Sequence, residues 1–118
     1  MESNSILITT AEAAGFSADY LEDDAPFRNE ILTAINSHLN KLNQIGIGVE
    51  GYHVESTDDT WDDFYGDVVP QNKQWLVREY LKHAVKKSVD PTTSSILQSQ
   101  LKEQMDEIEF RLLVDQPD

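Results

Sequence analysis

The chain contains no cysteine, which removes disulfide staples, thiolate nucleophiles and cysteine-held zinc together. Long hydrophobic runs are missing as well. Uninterrupted apolar stretches reach only three or four residues, as at Ile6-Leu7-Ile8 and Leu112-Leu113-Val114, against the roughly 20 that a membrane-spanning helix needs. The opening residues Met1-Glu2-Ser3-Asn4 have neither the positive start nor the long apolar stretch of a secretion signal, so the expectation is a chain that stays in the cytosol where it is made. Basic residues are scarce: nine Lys plus Arg stand against 22 Asp plus Glu, for a net charge of -13.

The acid is unevenly spread. Residues 1–70 carry fourteen acids and two bases, Arg28 and Lys41, whereas residues 71–118 carry eight acids and seven bases. A field of that sign repels phosphate backbones and anionic membranes, so specific nucleic-acid binding through neutralised phosphates is excluded as an expectation. A disordered acidic tail is the other way to use such a composition. It is set aside because apolar residues recur at helical spacing along most of the chain. At 118 residues one domain buries about two thirds of the surface its unfolded chain exposes, enough for a core without metal or disulfide.

Three stripes define that core. Phe27, Ile31, Ala34, Ile35, His38, Leu39, Leu42 and Ile45 fall at steps of three and four, predicting a helix over 25–45. Asp24 is placed to cap it, Pro26 sits where a missing N–H does no harm, and Gly46 is its stop. Val77, Tyr80, Leu81, Ala84, Val85 and Val89 predict a helix over 71–89, with Arg78, Lys82 and Lys86 at one-turn intervals on another face. Asp90-Pro91 ends it. Thr93 or Ser94 then caps a last helix carrying Leu97, Leu101, Met105, Ile108 and Leu112. Residues 1–24 are weakly defined, with one short helix started by Thr9 or Thr10 and stopped near Gly15. The tail 115–118 reads as frayed. The fold class expected is therefore all-α: one domain over 1–118, a small bundle of three to four helices with a long irregular, partly extended loop between the second and third.

That loop, 46–70, is acidic and contains Tyr52, Trp61, Phe64 and Tyr65. Thr60-Trp61-Asp62-Asp63 reads as a capping box for a single helical turn ending near Tyr65. Tyr52-His53-Val54-Glu55 alternates, predicting a short strand or extended arm. The length, glycines and carboxylates predict a segment mobile in the free subunit and ordered only against a partner. Its aromatics form a local mini-core or serve as binding anchors.

Little in the chain points to catalysis. His38, His53 and His83 never pair at the spacing of a helical zinc site. The cluster Asp58, Asp59, Asp62, Asp63 and Asp67 lacks the alternation and central glycine of a calcium loop. No serine lies in a nucleophile elbow, and Gly46-Ile47-Gly48 lacks the third glycine and flanking elements of a phosphate loop. No enzymatic activity, catalytic residue, metal or cofactor is expected.

Four motifs in order and spacing carry a resemblance: Leu42-Asn43-Gln44-Ile45-Gly46-Ile47-Gly48; Thr60-Trp61-Asp62-Asp63-Phe64; Tyr80-Leu81 through Val89-Asp90-Pro91 with Ser94-Ser95; and Glu107-Ile108-Glu109-Phe110-Arg111-Leu112. Over roughly residues 25–114 the chain resembles the head-tail connector, or adaptor, proteins of long-tailed bacteriophages. Thr92 stands where a second proline is common, and the 71–89 helix is richer in lysine than its counterparts. The resemblance implies a small helical virion protein, assembled in the bacterial cytoplasm. It implies a ring, typically of twelve copies, beneath the portal. The ring joins the DNA-filled head to the neck and tail and lets DNA pass. Its partners are then the portal protein, a head-closure (stopper) or tail-completion protein, and its own copies. Trp61, Phe64, Tyr65, Arg78, Lys82 and Lys86 are the candidate subunit or portal interface. An acidic DNA mimic, or a small regulatory module acting on a basic partner, is the alternative that the charge allows.

Overall fold

The computed structural model describes residues 4–17, 19–89 and 95–114. Its longest helices follow the apolar stripes. The helix α3 spans Ala25–Gln44. Asp24 accepts the N–H of Phe27 at 3.1 Å and Pro26 occupies the first turn, so the chain starts where a free donor is satisfied and a missing one does no harm. At the other end the Ile47 N–H reaches the Leu42 carbonyl at 2.8 Å and the Gly46 N–H that of Asn43 at 3.0 Å. This pair of bonds closes the last turn through a left-handed residue, and Gly46 supplies it at φ +88°.

The helices α5, Gln74–Val89, and α6, Ser95–Val114, complete the bundle with α3. They run antiparallel: Lys73, just before α5, bonds to Leu112, Tyr80 to Glu109, and Lys87 shares a pocket with Lys102. Val77, Tyr80, Leu81, Ala84 and Val85 meet Ile31, Ile35, Leu39 and Leu42 from α3 and Met105, Ile108 and Leu112 from α6 in one continuous core. The central residues of all three stripes expected from periodicity are thus buried, with Phe27, His38, Ile45, Val89 and Leu97 half-buried at the edges and ends. The third helix opens differently from the expectation, because Gln71–Lys73 winds as a separate 3-10 turn after Pro70. The predicted stop at Asp90-Pro91, the cap at Thr93 or Ser94 and the frayed tail at 115–118 lie outside the described residues.

The N-terminal part departs more. The helix α1 is Ile6–Ala13, capped by Ser5, whose hydroxyl accepts the Ile8 N–H at 3.2 Å. Thr9 and Thr10 do not start it. Thr9 turns its hydroxyl back to the Ser5 carbonyl at 2.6 Å, which a helix interior allows. Ile6, Leu7 and Ala11 are then free to enter the core beside α3 and α5. A short α2, Asp19–Asp23, covers α3; its Leu21 is buried.

Candidate functional site

The 46–70 segment packs onto its own subunit through bonds to α1 and α3. Two asparagines of α3, one heptad apart and so on one face, hold it. Asn43 donates to the Ile47 carbonyl at 2.8 Å and accepts the Gly51 N–H at 3.0 Å. Asn36 accepts the Val54 N–H at 2.7 Å and donates to the Val54 carbonyl at 2.9 Å. The Asn36 carboxamide replaces a strand neighbour for Val54, whereas Asn43 ties together the two ends of the 47–51 turn. Residues 52–55 form no strand, and Val54 is buried. Among the described residues the sole bridge of strand type joins Ser5 to Thr60.

The arm's far end is tied as closely. The Asp59 carboxylate accepts the N–H groups of Glu55 and Ser56, at 2.7 and 3.1 Å, and the Tyr52 hydroxyl at 3.2 Å. Burial alone raises the Asp59 pKa, but these donors and the nearby His53 outweigh it and hold the carboxyl below its usual value. Burial, then the Asp59 charge and hydrogen bond, push the Tyr52 phenol up to about 12.

The predicted turn α4 is Trp61–Tyr65, and Thr60 caps it by accepting the Asp63 N–H at 3.2 Å. Its aromatics face inward. Trp61, Phe64 and Tyr65 are at most 2% exposed, so of the two readings of the loop aromatics the structure takes the mini-core. Phe64 lies against Gly48: a Cβ there would run into its ring, and φ is +84°. Trp61 bonds to Thr9 at 2.7 Å, while backbone pairing of Trp61 with Asn4 and of Ile6 with Asp59 fastens α1 to the loop. Left on the surface are Glu50, Glu55, Asp58, Asp62, Asp63 and Asp67.

The three basic candidates of α5 separate. The Arg78 guanidinium lies 5.0 Å from the Trp61 ring centre, and its Nε donates to the Tyr65 hydroxyl at 3.2 Å. Burial raises the Tyr65 pKa, with Arg78 opposing. Lys82 pairs with Glu79 at 3.0 Å. Lys86 makes no ion pair among the described residues. Arg78 therefore belongs with Trp61 and Tyr65, while Lys82 and Lys86 do not reach them.

Sequence reasoning missed four residues that shape this surface: Ser5, Asn36, Asn43 and Lys73. Lys73 is 2% exposed and donates to the Leu112 carbonyl at 3.0 Å, placing a cation at the negative end of α6. Asn36 and Asn43 share one face of an amphipathic helix, but polar residues there read as ordinary solvated positions. Of the histidines, His38 sits at the core edge against Tyr80, its Nδ1–H donating to the Ala34 carbonyl at 2.8 Å. His53 approaches Asn36 at 3.4 Å and His83 approaches Glu79 at 3.9 Å. Among the described residues no three His, Asp or Glu side chains converge as a metal site, and no helix is long and apolar enough to cross a membrane.

What this arrangement provides is an acidic arm, shaped by bonds within its own subunit, on a three-helix bundle. No curated protein and no solved structure matches the chain. The model of the phage connector protein family matches residues 17–118, spanning α2 through α6 and every element of the arm. The chain belongs to the phage connector protein family, a structural rather than enzymatic kind of protein.

Proposed function

We infer that the protein is a head-tail connector: copies form a ring beneath the portal, twelve in the virion, and join the DNA-filled head to the neck and tail. The family match over residues 17–118 carries this reading. The charge supports it. A net charge of -13 gives the ring a surface to which passing DNA does not adhere, because phosphates find acid rather than Lys and Arg. The arm supports it too, since its bonds to α3 and through Asp59 shape it within its own subunit, and a contact that must repeat identically around a ring gains from a surface formed before assembly. Trp61, Phe64 and Tyr65 act in this contact from beneath, by holding Asp62 and Asp63 in place. Arg78 braces them, and Lys82 and Lys86 remain on the surface for a neighbour or the portal. The partners are then the portal protein on one side and a head-closure or tail-completion protein on the other, at the head-tail junction of the virion.

The same acidity fits a DNA mimic that occupies a basic groove. Co-sedimentation with the cognate portal ring separates the two. A connector pellets with the portal and leaves repressors and nucleases on their DNA; a protein that displaces DNA from such partners and ignores the portal is a mimic.

A further inference from the structure

Cations converge at one place in this acidic chain. Lys41 from α3, Lys87 from α5 and Lys102 from α6 border a 190 Å3 pocket with His38, Asp106 and Glu109. Their internal neutralisation is incomplete. Lys102 bonds to Asp106 at 2.9 Å, with both side chains more than half exposed. Lys41 reaches Glu109 only at 4.0 Å, and that carboxylate already accepts the Tyr80 hydroxyl at 2.6 Å. Lys87 has neither an ion pair nor a side-chain hydrogen bond among the described residues. Three ammonium groups thus face two carboxylates. The Arg78–Lys82 part of the α5 strip differs, because its cations are engaged with Trp61, Tyr65 and Glu79.

The acidic arm lies elsewhere on the same helix. Asn36 and Asn43 fix it to one side of α3, and Lys41, five residues from Asn36, points about 140° away around the axis. The turn at 55–59 presents Glu55 and Asp58 to solvent, held in shape by Asp59. One copy cannot fold its own arm into its own junction. A neighbour can, and complementary patches on opposite sides of one subunit are what a head-to-tail, ring-closing contact requires.

We propose that in the assembled ring the Lys41, Lys87 and Lys102 junction of one copy receives Glu55 and Asp58 of the next. This rests on the connector reading and names the contact between copies that the reading needs. Exposed pairs of this kind are individually weak and screened by salt, so their effect comes from repetition at each interface.

The absence of cysteine makes the contact directly testable. Lys87→Cys and Asp58→Cys variants, mixed on the cognate portal ring and treated with a short bis-maleimide, should give a cross-linked dimer at least tenfold above either variant alone. Separately, Lys41→Glu with Lys87→Glu should lower ring assembly at least tenfold. Adding Glu55→Lys and Asp58→Lys to the same chain should restore it. Portal-bound rings that yield no mixed cross-link, or a folded double reversal that assembles as wild type, overturn the pairing while leaving the connector reading in place. If the reversal unfolds the subunit, the cross-link decides alone. A wild-type chain that forms no ring on the portal overturns the connector reading itself, and the pairing with it.

Discussion

The Asn36 carboxamide makes both hydrogen bonds that a strand partner would make to Val54, accepting its N–H at 2.7 Å and donating to its carbonyl at 2.9 Å. Replacing Asn36 with Ala leaves both backbone groups of Val54, a residue 1% exposed, without partners. A loss of about 1–3 kcal/mol is expected. Amide exchange in the free subunit checks the mechanism: the Val54 N–H is protected in wild type and exchanges much faster in the variant.

Gly48 and Gly46 both have left-handed backbones, but only Gly48 is crowded. A Cβ at Gly48 meets the Phe64 ring, whereas at Gly46 nothing lies within 4 Å. Gly46→Ala should cost about 1 kcal/mol, the conformational penalty alone. Gly48→Ala adds the displacement of a fully buried ring and should cost on the order of 3 kcal/mol or more. Denaturant melts of the two variants measure the difference.

Arg78 and Lys82 stand one turn apart and should respond differently. Arg78→Ala removes a stacked cation from Trp61 and a donor from Tyr65, for about 1–2 kcal/mol. Lys82→Ala breaks only a partly exposed pair with Glu79, worth about 0–1 kcal/mol. Thermal melts at low and high salt distinguish them, with the Arg78 effect the less sensitive to salt.

Much of this was legible before the structure, and the parts that were not share a cause. The stripes on α3, α5 and α6 announced themselves because burial imposes a period on apolar residues, and Asp24, Gly46 and Thr60 because caps use few residue types. Asn36, Asn43 and Lys73 left no such trace. Asn36 and Lys73 act on backbone groups distant in sequence, 18 and 39 positions on, and Asn43 acts on the turn just after its own helix, at Ile47 and Gly51, where an asparagine reads as an ordinary polar position. No local pattern encodes such a partner. Trp61, Phe64 and Tyr65 were visible as a motif, but their inward orientation depends on α1 and Gly48, which local spacing does not reveal.

Acid should loosen the fold in two stages. Burial, reinforced by Lys82 and Lys86 against Glu79, lowers the pKa of His83. Burial, with Lys41 and Lys87 adding to it and the Ala34 carbonyl and Glu109 opposing, lowers that of His38. Both then take a proton more readily in the unfolded chain, so their contribution is complete above the unfolded value of 6.5 and fades as pH falls through the folded values. Asp59 adds a second window below 3.8, where protonation dissolves its bonds to the arm. The melting temperature should therefore fall between pH 7.5 and pH 5, at about constant ionic strength, and His38→Gln should make that slope shallower.

The most direct test is electron cryo-microscopy of the cognate portal mixed with this protein. A closed ring of copies seated coaxially on the portal, its channel open for DNA and its arms at the subunit contacts, is the predicted result. Bare portals beside unassembled subunits, at concentrations far above those needed for a stable virion joint, would contradict the assignment as a head-tail connector.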